Sequence, residues 1–327
     1  MTTIINQTVV FIRTITRPLP PPTEEDLEIP TGCIGSLTSL QIADWHTILP
    51  QTLLALEGYT DFRKLRTLRL HSRMANDTAQ NIFEIWETRR PFHSLEELEL
   101  NLGGWNRQKG FYASAKNFLH SLPPLKELLL EGWHCLISVE SIVETHGSTL
   151  LKLQLTYKNR SQSCRLTESD IKLLANCHLL EDLTCKVQRT GGDRAEVALY
   201  KALGTITRLK NLSLGLSVSD PALFGDDESD QGIIRPGHLL FPSQESLSLD
   251  PTFDDFDSQL CRWGLQELYR ARNGHVRKFM INSAVDKKLV FEIFQKIISV
   301  KTDYCLSMER MAVYIDEPEL VRIFTSS

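Results

Sequence analysis

The pattern L-x-x-L-x-L returns ten times along the chain at a nearly constant interval, and no other feature of the sequence restricts the fold as strongly. It reads LTSLQI from residue 37, LRTLRL from 65, LEELEL from 95, LKELLL from 125, LLKLQL from 150, LEDLTC from 180 and LKNLSL from 209. Weaker copies follow as QESLSL from 244, VRKFMI from 276 and MERMAV from 308. The starts are 28, 30, 30, 25, 30, 29, 35, 32 and 32 residues apart. Within a copy the last leucines alternate with polar residues, which argues a half-buried strand, because successive side chains leave a strand on opposite sides. Self-similarity at such a period belongs to chains that stack one supersecondary unit on the next.

Between the strands lie segments with helical spacing. Val290, Ile293, Phe294, Ile297 and Ile298 follow i, i+3, i+4, i+7, i+8 and form one apolar stripe. Shorter stripes run through Ile82, Ile85 and Trp86; Val139, Ile142 and Val143; Ile171, Leu174 and Ala175; and Leu260, Trp263 and Leu268. Thr167-Glu168-Ser169-Asp170 is a capping-box pattern, in which Thr167 accepts from the backbone three residues on and Asp170 reaches back.

A strand and a helix in every thirty residues resembles the leucine-rich repeat family, in the long, helix-containing form found in ribonuclease inhibitor and in the substrate-reading part of F-box proteins. The likeness covers residues 36–327 and rests on the ten-fold L-x-x-L-x-L core. The Asn or Cys that follows that core in the family is replaced by Trp45, Arg73, Gly103, Trp133, Lys158, Gln188 and Ser217. The resemblance implies an α/β solenoid of about ten irregular repeats, a curved horseshoe with parallel strands on its concave face and helices on its convex face. Residues 1–35 stand apart as an arm or cap. Within it 18–30, PLPPPTEEDLEIP, carries five prolines and four acids and reads as an extended linker, and TVVFI before it reads as a capping strand or an earlier repeat. The repeat domain, 36–327, contains one long acidic loop at 219–242.

Composition narrows the function classes. A formal net charge of −5 gives no general affinity for nucleic acid, which needs clustered Lys and Arg. The start MTTIINQTVVFIRTITRPLPPP lacks the basic and apolar regions of a signal peptide, and no stretch reaches the 18 apolar residues of a membrane span. Seven scattered cysteines argue for reduced thiols rather than a disulfide framework. The expectation is an intracellular protein, cytoplasmic or nuclear, eukaryotic if the F-box likeness holds, monomeric and without contact to membrane or nucleic acid.

No phosphate loop, nucleophile elbow or H-E-x-x-H helix is present, so no enzyme of a common class is expected. The acidic GDDESDQG is no calcium loop: counted from Asp226, its sixth place is Gln231 rather than Gly and its twelfth is Gly237 rather than Glu. Cys164, Cys177, His178 and Cys185 have zinc-ligand chemistry without zinc-ligand spacing, and Cys185 falls on a core place of its strand. Trp45, Trp105 and Trp133 follow the strands at similar places and read as packed aromatics beneath the loops, the alternative being an exposed aromatic rim at the strands' carboxyl edge that would suit an interface anchor. No metal or cofactor is expected.

The resemblance implies that the strands line the concave side and that the residues interleaved with the leucines point out from it. They include Arg69 and His71, then Glu97, Glu99 and Asn101, then Glu127, Leu129 and Glu131, then Lys152, and in later copies Lys186, Gly215 and Tyr314. Glu97, Glu99, Glu127 and Glu131 form an acidic patch around Leu129. The expected function is non-enzymatic recognition of a protein partner on this face, the partner offering a basic segment, with the resemblance extending to substrate receptors of SCF-type ubiquitin ligases. An F-box needs roughly forty helical residues ahead of the repeats, and a proline run stands there instead. The alternative is a small-ligand or anionic-cofactor receptor that uses Arg73, Arg107, Lys109, Lys158, Arg160 and Arg189 on the loops after the strands.

Overall fold

The computed structural model describes residues 10–11, 37–42, 48, 50–72, 82–103, 109–156, 164–218, 282, 284–301 and 308–315. Parallel strands alternate with helices, an arrangement compatible with a repeat solenoid. The chain divides into two compact units, residues 1–158 with 173–183, and residues 159–172 with 184–327.

In the first unit the strands are β1 (Val10–Phe11), β2 (Ser39–Ile42), β3 (Thr67–Leu70), β4 (Glu97–Asn101), β5 (Glu127–Glu131) and β6 (Lys152–Thr156). They pair in chain order, all parallel, and from β2 onward leucine meets leucine at every step: Leu40, Leu68, Leu98, Leu128 and Leu153 form one row. A one-residue slip would turn each of these leucines to the wrong face, so the apolar pattern fixes the register. Leu68, Leu98, Leu100, Leu128, Leu130 and Leu153 are fully buried. The short apolar run near the start pairs as β1 with Leu40 and Gln41.

The helices here are α1 (Pro50–Tyr59), α2 (Ile82–Arg89), α3 (Lys109–Ser121) and α4 (Val139–His146). Adjacent parallel strands require each connection to return across one face of the sheet, and the burial pattern shows that this is the leucine face. Beneath α2 and α3 an aromatic cluster closes the core: Phe83 stacks on Phe118 at 5.3 Å and Trp86 meets Phe92 edge-on at 5.1 Å. The buried Trp86 indole donates to Glu57 Oε1 on α1 at 2.8 Å, so its polar N–H costs nothing in the core.

The second unit contains most of α5 (Glu168–Leu174) and β7 (Asp182–Gln188), and all of α6 (Arg194–Gly204), β8 (Asn211–Ser217), α7 (Lys287–Ile298) and β9 (Arg310–Ile315). The capping box at Thr167 forms as its residues require: Asp170 N donates to Thr167 Oγ1 at 3.2 Å, and Thr167 N donates to Asp170 Oδ2 at 2.8 Å. On α7, Ile293 and Ile297 are the buried members of the stripe. Gly204 ends α6 against the Ile297 carbonyl, in space that a β-carbon would fill.

β8 pairs directly with β9, Asn211 opposite Arg310 and Leu216 opposite Ile315, although the copies at 244 and 276 separate these two strands in sequence. Parallel pairing here is set by matched apolar rows, Leu212, Leu214 and Leu216 against Met311, Val313 and Ile315. Those two copies, the linker 18–30, the loop 219–242 and the Leu260–Leu268 stripe lie outside the described residues.

Candidate functional site

Strand register in the first unit arranges the interleaved side chains in three rows across β2 to β6. One row reads Ser39, Thr67, Glu97, Glu127 and Lys152; the next reads Gln41, Arg69, Glu99, Leu129 and Gln154. A third contains Asn101, Glu131 and Thr156, with His71 at the end of β3 beside it. All eight residues expected to bind a partner, Arg69, His71, Glu97, Glu99, Glu127, Leu129, Glu131 and Lys152, are thereby brought onto one face. The side chains of Arg69, His71, Glu97, Glu99, Glu127 and Lys152 stay in contact with water, from 22% exposed for Glu99 to 40% for Arg69.

The acids do not stand alone. Glu97 faces Glu127 directly, a like-charge neighbour across strands about 4.8 Å apart. Cations enter from both sides: Arg69 Nη2 reaches diagonally to Glu97 Oε2 at 3.0 Å, and Lys152 Nζ lies 3.8 Å from Glu127 Oε2. His71 Nδ1 lies 2.9 Å from Glu99 Oε1, and its Nε2 lies 2.8 Å from the Gln41 amide nitrogen. Just before β4, Glu96 accepts from Lys126 Nζ at 2.7 Å, and that hydrogen bond holds the Glu96 carboxyl below the ordinary range. Each such pair is half in water and contributes about 0 to 1 kcal/mol.

Asn101 departs from expectation. Its alternation places it outward, yet it is buried, because Nδ2 donates to the His71 carbonyl at 2.9 Å and Oδ1 accepts from Gly103 N at 3.1 Å. It joins β4 to the preceding repeat, as Thr149 does by donating to the Leu125 carbonyl at 2.7 Å. Lys186 and Gly215 are also buried rather than outward: a β-carbon on Gly215 would stand 3.0 Å from the Lys186 stem and 3.1 Å from the Tyr314 ring.

The anion-binding alternative loses its Arg189. That side chain is buried; its Nη1 donates to Glu196 Oε1 at 2.8 Å and its Nε to the Asn282 carbonyl at 2.8 Å. Glu196 also accepts from Tyr200 Oη at 2.6 Å, Thr190 N at 2.7 Å and Gly192 N at 2.8 Å. The anion at this loop is therefore the chain's own carboxylate, and burial together with this neighbour pushes the Tyr200 hydroxyl's pKa up. Lys109 opens α3 as an exposed residue, and Arg73, Arg107, Lys158 and Arg160 lie outside the described residues. The sequence signal for Glu196 was available: an N-cap Asp193 with Glu at the third helical place.

Trp133 is buried with its indole N–H donating to the Ile137 carbonyl at 2.8 Å, a packed aromatic beneath a loop; Trp45 and Trp105 lie outside the described residues. Burial pushes the Cys177 thiol up to about 11 and Cys185 up to about 12, so neither is a nucleophile or a ready metal ligand near neutral pH. No helix among the described residues is long and apolar enough to cross a membrane. No known family, curated protein or solved structure matches the chain, so any function must be argued from this geometry.

Proposed function

We propose that this chain is a leucine-rich-repeat scaffold that catalyses no reaction and binds a protein partner on the strand face formed by β3 to β6. One observation carries the reading: the register places Arg69, His71, Glu97, Glu99, Glu127, Leu129, Glu131 and Lys152 together on a face whose alternate residues are buried leucines. Apart from His71 the face holds two cations, Arg69 and Lys152, and four carboxylates, a net charge of −2. The partner therefore offers Lys or Arg, with an apolar side chain that rests on Leu129. Solvated ion pairs are weak enough for the partner's cations to replace Arg69 and Lys152 at little cost. The charges mainly speed encounter and select the partner, while Leu129 provides contact excluded from water.

The resemblance to substrate-reading F-box proteins supports a receptor role for the same face. The test is affinity capture with the parent chain and with Glu97→Lys, Glu99→Lys and Glu127→Lys combined. The variant keeps its fold, because no buried group changes, and loses the partners. Equal recovery of every partner by a folded triple variant would reduce the face to ordinary surface.

A further inference from the structure

We propose that the partner's basic segment lies lengthwise along β5, with a cation on Glu127 and an apolar side chain two residues away on Leu129, a reading that deepens the recognition of a basic partner and rests on it. The layout of the face sets the direction. Read from β3 to β6, the charges stand in columns: Arg69 on β3, Glu97 and Glu99 on β4, Glu127 and Glu131 on β5, and Lys152 on β6. A segment lying across the strands would meet cation, acid, acid and cation in turn. One lying along β4 and β5 meets no cation, so a run of Lys or Arg fits in that direction alone.

Within these columns Glu127 is the acid best placed to take a cation. Arg69 Nη2 donates to Glu97 Oε2 at 3.0 Å, and His71 Nδ1 lies 2.9 Å from Glu99 Oε1. Glu131 has its Oε1 buried from solvent. Lys152 Nζ, by contrast, stands 3.8 Å from Glu127 Oε2, beyond hydrogen-bond length, and the Glu127 carboxylate accepts no hydrogen bond among the described residues. An incoming ammonium or guanidinium gains a charge-assisted hydrogen bond at Glu127 without breaking one, whereas at Glu97 it must displace Arg69. It also relieves the like charge of Glu97, directly across from Glu127. Leu129 follows two residues on, half-buried on the same face between Glu99 and Gln154. The step from Glu127 to Leu129 is about 6.7 Å, and an extended segment repeats that step between every second side chain. The segment recognised therefore carries Lys or Arg two residues from a large apolar residue, both on one side of an extended chain.

Two measurements on the full chain test this. In the first, labelled peptides of equal composition carry Lys-Ser-Leu-Ser-Lys or Ser-Lys-Leu-Lys-Ser in one Gly/Ser frame. Only the first puts Lys and Leu on the same side of an extended chain, and it does so in either chain direction. The parent should bind it about three- to ten-fold more tightly than the second. Glu127→Gln should lose this preference and Glu97→Gln should keep it. Equal affinity for the two peptides, or a preference that Glu127→Gln keeps or Glu97→Gln abolishes, overturns the spacing and leaves recognition of a basic partner in place. Failure of the parent to bind either peptide overturns that recognition itself. In the second measurement Lys152→Glu, with its fold confirmed by thermal melting, is titrated with the first peptide. A segment along β5 binds about two- to five-fold more tightly, because a competing cation is gone. Unchanged or weaker binding overturns the lengthwise placement.

Discussion

Gly132 stands against Gly103 so closely that a β-carbon on Gly132 would overlap the Gly103 backbone nitrogen and α-carbon. Its φ of 77° adds a second reason for glycine. The loops after β4 and β5 nest because Gly132 carries no side chain. Gly132→Ala should destabilise the chain by at least about 2 kcal/mol, combining left-handed strain with the steric overlap. Gly192, at φ 81° with open space around it, separates the two terms. Gly192→Ala should cost about 1 kcal/mol from strain alone. Urea unfolding of both variants measures the difference, and equal losses would mean that the nesting contributes nothing.

The Arg189–Glu196 pair predicts an asymmetry between single and double changes. Removing either partner strands a buried charge and should cost about 3 to 5 kcal/mol, whereas Arg189→Met with Glu196→Met should recover much of that loss. Denaturant melts of the two single variants and the double variant form the cycle. A double variant less stable than the sum of the singles would contradict the account.

His146 predicts acid sensitivity in the first unit. The ring is buried and accepts from Leu125 N at 3.3 Å; burial first, then the charge of His120, lowers its pKa from 6.5 to about 4. Between these values the unfolded chain binds the proton and the folded chain does not, so stability rises with pH through this window. The contribution is fully present above about pH 6.5 and is lost as pH falls to about 4. At about 1.4 kcal/mol per pKa unit, it is of order 3 kcal/mol. Melting temperatures from pH 7.5 to 4 should fall less steeply for His146→Leu than for the parent.

Thiol chemistry should sort the described cysteines. Cys135 is exposed, whereas Cys164, Cys177 and Cys185 are buried and burial raises the last two thiols. Iodoacetamide at pH 8 should label Cys135 first among these four, with Cys177 and Cys185 reacting only on unfolding. Mass spectrometry of a time course reads the order.

The strand face also predicts a stability result distinct from binding. Combined lysine substitution at Glu97, Glu99 and Glu127 should cost no more than about 2 kcal/mol, because every broken pair is partly solvated. A larger loss would show that the ladder holds the sheet together rather than presenting it.

The sequence by itself determined the positions of β2 to β9 and the register from β2 to β6. Those follow from local rules: alternation along a strand is covalent geometry, and a row of leucines tolerates no one-residue slip. The capping box at Thr167 and the burial of Cys185 were legible for the same reason. Tertiary structure decided what long or versatile side chains do with partners about thirty residues away. Arg69 chooses Glu97 on the diagonal although Glu99 lies opposite it in register, and Asn101 turns from solvent to the His71 carbonyl. Arg189, a loop cation by pattern, is drawn inward because Glu196 and the Asn282 carbonyl meet it there. The direct pairing of β8 with β9 was likewise hidden, since a weak repeat copy shows that a strand could form but not which neighbour's apolar row it will match. Such choices depend on distances between residues remote in the chain, and period alone does not contain them.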